Sequence, residues 1–153
     1  MPESTNCVEK QIVLKAPRAK VWRALVNPQA FGEWFGVKMS GPPMAAGQHL
    51  SGNITYPGWE HLVMEIWIES VVAEKHLSWR WHPAAIEPNV DYSAEPTTLV
   101  EFELQEVEGG TLLKVVESGF DALPLARRAK ALGMNASGWQ EQMLNIDMYV
   151  ATH

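Results

Sequence analysis

Residues 61–82 read HLVMEIWIESVVAEKHLSWRWH. In the first half Leu62, Met64, Ile66 and Ile68 alternate with Val63, Glu65, Trp67 and Glu69, and a period of two places the two sets on opposite faces of a strand. Ala73 to His76 make a turn, after which Leu77, Trp79 and Trp81 point opposite to Ser78, Arg80 and His82. Two antiparallel strands with one dry and one wetter face follow, the pattern of a sheet covered on one side only. Arg80 and His82 fall on the wetter face, where cross-strand partners would be Glu65, Glu69, Glu101 or Glu103.

The same alternation continues downstream. Thr98, Val100, Phe102 and Leu104 alternate with Leu99, Glu101, Glu103 and Gln105, and Gly109-Gly110 turns the chain into a partner strand from Thr111 to Glu117. Between the two strand pairs, Pro83 to Pro96 is polar, broken by proline and without period, and reads as a long loop over one rim of the sheet. From Leu123 the period changes: Leu132, Ala136, Trp139, Met143, Ile146 and Val150 recur at steps of three and four, the apolar stripe of a helix. Gly133 and Gly138 each cost about 1 kcal/mol relative to alanine in a helix. A break is therefore expected within Leu123 to Ser137, with the strongest helix from Ser137 to Thr152.

Upstream, Val8, Ile12 and Leu14 among Glu9, Lys10 and Lys15 make a first strand ended by Ala16-Pro17. Arg18 to Val26 is a short amphipathic helix, and Asn27-Pro28 supplies the capping side chain and proline that open a second, through Phe31 toward Trp34 and Phe35. Gly47 to Tyr56 reads as a looser strand, with Leu50, Ile54 and Tyr56 at even spacing. A strand, two short helices, about five antiparallel strands and a long helix make an α+β chain, since a sheet with one dry face needs the helix to cover it.

Composition narrows the function classes. A chain of 153 residues with 46% hydrophobic content suits one domain over 7–153, with 1–6 as a flexible N-terminus. The formal charge of -6, with no basic cluster beyond Arg127 and Arg128, disfavours nucleic acid as a partner. The single Cys7 forms no intrachain disulfide, which fits a reducing cytoplasm. No run approaches the roughly 18 apolar residues of a membrane span, so membrane insertion is not expected. The five histidines show no metal-ligand spacing, and neither GxSxG, a P-loop nor GxGxxG occurs, so no metal and no cofactor are expected.

Seven tryptophans in so short a chain are unusual and build either a tryptophan-rich core or an aromatic-lined pocket. The alternation brings Trp79, Trp81 and Phe102 to the dry face, against Trp139 and Met143 of the helix, with Trp34 and Phe35 from the second short helix. These seven are the candidate ligand-binding residues. Glu117 joins them as the single polar point, because it shares a face with Leu113 and Val115. There it could orient a polar ligand group or serve as an acid or base; at a strand end it could equally reach solvent or meet a basic side chain.

Several of these segments resemble one family. Ala16-Pro17 through Val21-Trp22-Arg23-Ala24-Leu25, then Asn27-Pro28 and Trp34, is similar to the opening of the activator-of-heat-shock-protein-90-ATPase-like family, within the START/Bet v 1-like (SRPBCC) superfamily. Leu77-Ser78-Trp79, Glu117-Ser118-Gly119-Phe120, and Gly138-Trp139 ahead of Met143 and Ile146 extend the resemblance over nearly the whole chain. It implies a helix-grip fold, a curved sheet of six to seven strands wrapped on the last helix. Two departures bear on the mouth of any pocket: Gly47-Gln48-His49-Leu50 lacks a large aromatic after the glycine, and the Pro83 to Pro96 loop is long.

The superfamily includes carriers of lipids and hormones, polyketide cyclases and co-chaperone domains, and fold alone does not choose among them. The expected function is binding of a hydrophobic or aromatic small molecule in the cavity between sheet and helix, by a non-enzymatic monomer or homodimer. One alternative is a co-chaperone-like module of the stress response that activates a heat shock protein 90 ATPase through an exposed surface, for which Trp67 is the candidate contact. Another is a polyketide cyclase-like enzyme with Glu117 as the acid/base.

Overall fold

The computed structural model describes residues 6–87 and 90–153. Six strands form one antiparallel sheet: β1 (Cys7–Leu14), β2 (His49–Asn53), β3 (Val63–Val72), β4 (His76–Trp81), β5 (Thr98–Val107) and β6 (Gly110–Ser118), in the spatial order β1-β6-β5-β4-β3-β2. The chain crosses from one edge of the sheet to the other through α1 (Arg18–Val26) and α2 (Pro28–Phe35). A 3-10 turn, Phe120–Ala122, leads from β6 into α3 (Leu125–Thr152), which lies along the concave face. This is the helix-grip architecture that the resemblance implies.

The alternation reads through to burial. Met64, Ile66, Ile68, Leu77, Trp79, Val100, Phe102, Leu104, Leu113 and Val115 are all buried on the concave side, while Val63 and Trp67 are exposed on the convex side. Convex-face charges pair across strands, as in the 3.0 Å contact of Arg80 with Glu69. A register shift between Ile68 and Ser70 marks a bulge in β3, a device that bends a strand and tightens its twist.

The caps fall where the residue types put them. Asn27 accepts the Ala30 N–H through its side chain at 3.0 Å, and Pro28 occupies the first turn of α2. The helix stops at Gly36, whose φ of 94° is left-handed. From α3, the Gln142 side chain donates to the Phe35 carbonyl at 2.9 Å, which ties the end of α2 to the long helix.

Two expectations are corrected. The looser strand over Gly47 to Tyr56 shortens to His49–Asn53, with Ile54 only bridged to Val37, because Thr55 turns its N–H to the Gly36 carbonyl. Helix α3 shows no break: it runs unbroken for 28 residues through Gly133 and Gly138. Burial of Ala131, Trp139, Met143, Ile146 and Val150 on the concave face outweighs about 1 kcal/mol for each glycine. The Asn6 backbone carbonyl accepts from Gly119 and Phe120, while residues 1–5 of the expected flexible N-terminus lie outside the described residues. The long loop expected from Pro83 to Pro96 carries no helix or strand, Pro88 and Asn89 in it lying outside the described residues.

Glycine 32 supplies a prediction against helix propensity. A Cβ there would stand 2.1 Å from the Val37 carbonyl oxygen, a backbone atom that cannot swing aside. Gly32→Ala should therefore lower stability by roughly 1–3 kcal/mol, although alanine is the better helix former. Denaturant unfolding measures this, and a more stable variant would contradict the close approach of α2 to the segment behind it.

Candidate functional site

The end of the grip nearest the long loop is organised by Glu117, which is 0% exposed. Its position in β6, opposite Val100 of β5 and Val8 of β1, aims it at α3. One carboxylate oxygen accepts from Trp139 Nε1 at 2.8 Å and Asn135 Nδ2 at 2.8 Å. The other accepts from Trp81 Nε1 at 2.8 Å, Thr98 Oγ1 at 2.5 Å and Asn135 Nδ2 at 3.0 Å. Four donors on β4, β5 and α3 thus converge on one side chain. Three of the groups are N–H donors, which can only donate, so the carboxyl oxygens of Glu117 serve each of them as acceptors. Among the described residues no cation pairs with it. The hydrogen bonds themselves offset the cost of burying so polar a group.

Around this point the aromatic side chains close up. Phe31 is edge-on to Trp34 and Trp79, Trp79 lies 5.0 Å from Trp81 between ring centroids, and Trp139 lies within 6.3 Å of Phe35, Trp79, Trp81 and Phe102. Trp79 is fully buried there, and no acceptor reaches its indole N–H. The centre of the grip is therefore filled.

Space remains toward the rim. A cavity of about 590 Å³ lies between α3, the first half of β3 and the loop that follows β4. Phe35, Ile54, Met64, Trp81, Met134 and Asn135 wall its inner side, and Ala84 to Ile86 with Val90 to Ser93 supply the loop side. The opening is a gap in the sheet. β3 pairs with β4 only from Trp67 onward, opposite Arg80, so Val63 to Ile66 are ladder-paired with β2 alone. Glu65, Trp67 and His82 stand at this mouth. Trp67 is sandwiched there, stacked on His49 at 5.0 Å and edge-on to His82 at 5.7 Å.

The loop wall is clasped from α3. Arg127 forms a two-pronged ion pair with Glu95 at 2.8–3.1 Å, donates to the carbonyls of Pro83 and Ala84, and lies 4.7 Å over the Tyr92 ring. A planar guanidinium fits this combination of carboxylate, carbonyl and ring contacts. Both partners of the ion pair are about four-fifths buried.

Of the residues expected at the site, Phe35 and Trp81 line the cavity, while Trp34, Trp79, Phe102, Trp139, Met143 and Glu117 are buried behind its wall. Asn135, Met134 and the Arg127 clasp were not among the expectations. For Arg127 and Asn135 the signal was the spacing: Arg127, Ala131, Asn135, Trp139 and Met143 follow one another at four-residue steps on one helix face. Two polar residues in that row hide it from a search for an apolar stripe. Among the described residues no group of three or more His, Cys, Asp or Glu is placed to hold a metal ion, and no helix is long and apolar enough to cross a membrane.

With this geometry in hand the comparisons with known proteins define the class. The sequence matches the family described as Activator of Hsp90 ATPase homolog 1-like protein over residues 15–151, and the chain belongs to that family. None of the curated proteins matches it. Among solved structures it is similar to protein MLL2253 from Mesorhizobium loti, with 24% identity, 95% of this chain and 97% of that one covered, and a TM-score of 0.72. A protein from Arthrobacter aurescens is similar at 15% identity, 99% and 91% coverage, and a TM-score of 0.79. DynU16, a protein in the dynemicin biosynthetic locus, is similar at 21% identity and a TM-score of 0.74; 99% of this chain covers 48% of that one. At these identities the likeness is one of fold.

The donor set around Glu117 gives a direct test. Glu117→Gln places an amide N–H2 where N–H and O–H donors converge, so at least one donor loses its acceptor. A loss of about 2–4 kcal/mol in denaturant unfolding is expected. An unchanged unfolding midpoint would contradict the description of the carboxylate as the hub.

Proposed function

We propose that this chain binds a hydrophobic or aromatic small molecule in the cavity between α3, β3 and the loop after β4. The observation that carries the reading is the cavity itself: about 590 Å³ is in the range of small-molecule sites, and its inner wall combines aromatic and aliphatic side chains with few polar groups. The chain acts as one domain over 7–153, in the reducing cytoplasm. The place of DynU16 in a biosynthetic locus agrees with a small-molecule role for this fold.

Glu117 supports binding over acid–base turnover. Its oxygens are occupied by Trp81, Thr98, Asn135 and Trp139, so a bound molecule meets the residues that surround it and not the carboxylate. The family's description carries the second reading, a module acting on a heat shock protein 90 ATPase. Trp67, the exposed residue best suited to such a contact, is engaged between His49 and His82 at the cavity mouth, which favours the first.

Intrinsic tryptophan fluorescence titrated with flavonoids, fatty acids and polyketide-like aromatics tests the proposal, because Trp81 forms part of the wall. A saturable change with at least one planar class is expected. Met134→Trp, which fills the cavity from the helix side, should weaken that binding roughly tenfold or more. A flat response across the panel would overturn the proposal, and ATPase stimulation of a purified heat shock protein 90 in its place would establish the second reading.

A further inference from the structure

We propose that Asn135 sets the ligand specificity of the cavity: its side-chain carbonyl faces the ligand and selects an uncharged aromatic molecule that donates a hydrogen bond, a phenol in the simplest case. The proposal rests on the cavity reading above and names the ligand class for it.

The partners of the Asn135 amide fix its orientation. Asn135 Nδ2 lies 2.8 Å from one Glu117 oxygen and 3.0 Å from the other. A carboxylate only accepts, so the N–H2 end of the amide must face it, and a flipped amide would set a carbonyl oxygen against two carboxylate oxygens. The Glu117 side chain is held in turn by Trp81, Thr98 and Trp139. The Asn135 carbonyl is thereby fixed at the other end of the amide. Asn135 lines the cavity, and no donor among the described residues reaches that oxygen, which is not buried away from solvent. An acceptor in a fixed position within a largely apolar wall rewards a ligand O–H or N–H, and it penalises a ligand that brings only acceptors.

Charge excludes the other common class of apolar ligand, the carboxylates. Among the described residues the ionisable side chains lining the cavity are Glu65, His82, Asp91 and the Tyr92 phenol, with no lysine or arginine. The Ser93 backbone N–H holds the Asp91 carboxyl below its ordinary range, so this side chain is an anion at neutral pH. Arg127, the cation of the same helix face, is committed to Glu95 and to the carbonyls of Pro83 and Ala84. An anionic headgroup would enter a cavity whose lining carries carboxylates and no lysine or arginine as counter-charge.

Three probes of one frame separate the possibilities: 2-naphthol, 2-methylnaphthalene and 2-naphthoate, measured by equilibrium dialysis with the intact chain. The expected order is 2-naphthol over 2-methylnaphthalene by roughly five- to tenfold, with 2-naphthoate weakest. Asn135→Leu should remove the advantage of 2-naphthol while 2-methylnaphthalene still binds. In the unaltered protein, the Asn135 side-chain N–H2 signals in NMR should shift with 2-naphthol and not with 2-methylnaphthalene, a readout independent of how the variant folds. Equal binding of naphthol and methylnaphthalene, a preference for naphthoate, or a naphthol advantage that survives Asn135→Leu would overturn the role of Asn135 and leave the cavity in place. Binding of none of the three would overturn the cavity reading together with it.

Discussion

A carboxylate buried without a cation must find its stabilisation in hydrogen bonds, and the donors that Glu117 collects come from three separate elements. Trp81 closes β4, Thr98 opens β5, and Asn135 and Trp139 are one turn apart on α3. Satisfying this one group fixes the rotation of the long helix, because only one helical face carries both Asn135 and Trp139. It also fixes the helix along its axis, since the two donors must reach the same pair of oxygens. Apolar contacts between α3 and the sheet would tolerate a slide or a turn more readily, being non-directional.

What the hub arranges is a division of the concave face into a filled part and an open part. Trp79, Phe102 and Trp139 occupy the centre, and the buried leucines and valines of β5 and β6 continue it. The open part lies where β4 has ended and β3 has not yet gained its partner. There the chain supplies a wall of another kind, a loop without regular structure held by the Arg127 guanidinium. Trp81 and Asn135 belong to both regions: each donates inward to Glu117 and presents its remaining surface to the cavity. The cavity wall is thus hydrogen-bonded where it touches the hub and carried by a loop on the other side, the arrangement that lets a site be shaped without remaking the core.

Much of this architecture is legible in the sequence because strands alternate. Leu62 to Glu69, Leu77 to Trp81, Thr98 to Gln105 and Thr111 to Glu117 each declare a face with few contradictions, and Asn27-Pro28 declares a helix start. The glycines of α3 mislead, because a local propensity says nothing of the tertiary burial that opposes it. The site is less legible than the fold. Periodicity brings Trp81, Phe35 and Glu117 to the concave side but does not distinguish a wall from a core, since both are apolar and inward-facing. Asn135 and Arg127 escape because polar residues on an inward helix face look like solvent-facing ones until their partners, Glu117 and the loop around Glu95, are known. The gap beside β3 depends on where β4 stops, a register that no single strand's pattern contains.

The central claim is that the Glu117 carboxylate receives the indole N–H groups of Trp81 and Trp139. Trp79 is an internal control, fully buried but with no acceptor at its indole nitrogen, beside the buried Trp139 and the half-buried Trp81, and Trp59, 47% exposed, is the solvent reference. Proton NMR of the four indole N–H signals compares them in one sample. The account predicts that Trp81 and Trp139 resonate downfield of Trp79 and exchange far more slowly than Trp59. Signals from Trp81 and Trp139 that exchange as fast as Trp59, or that show no downfield separation from Trp79, would contradict it.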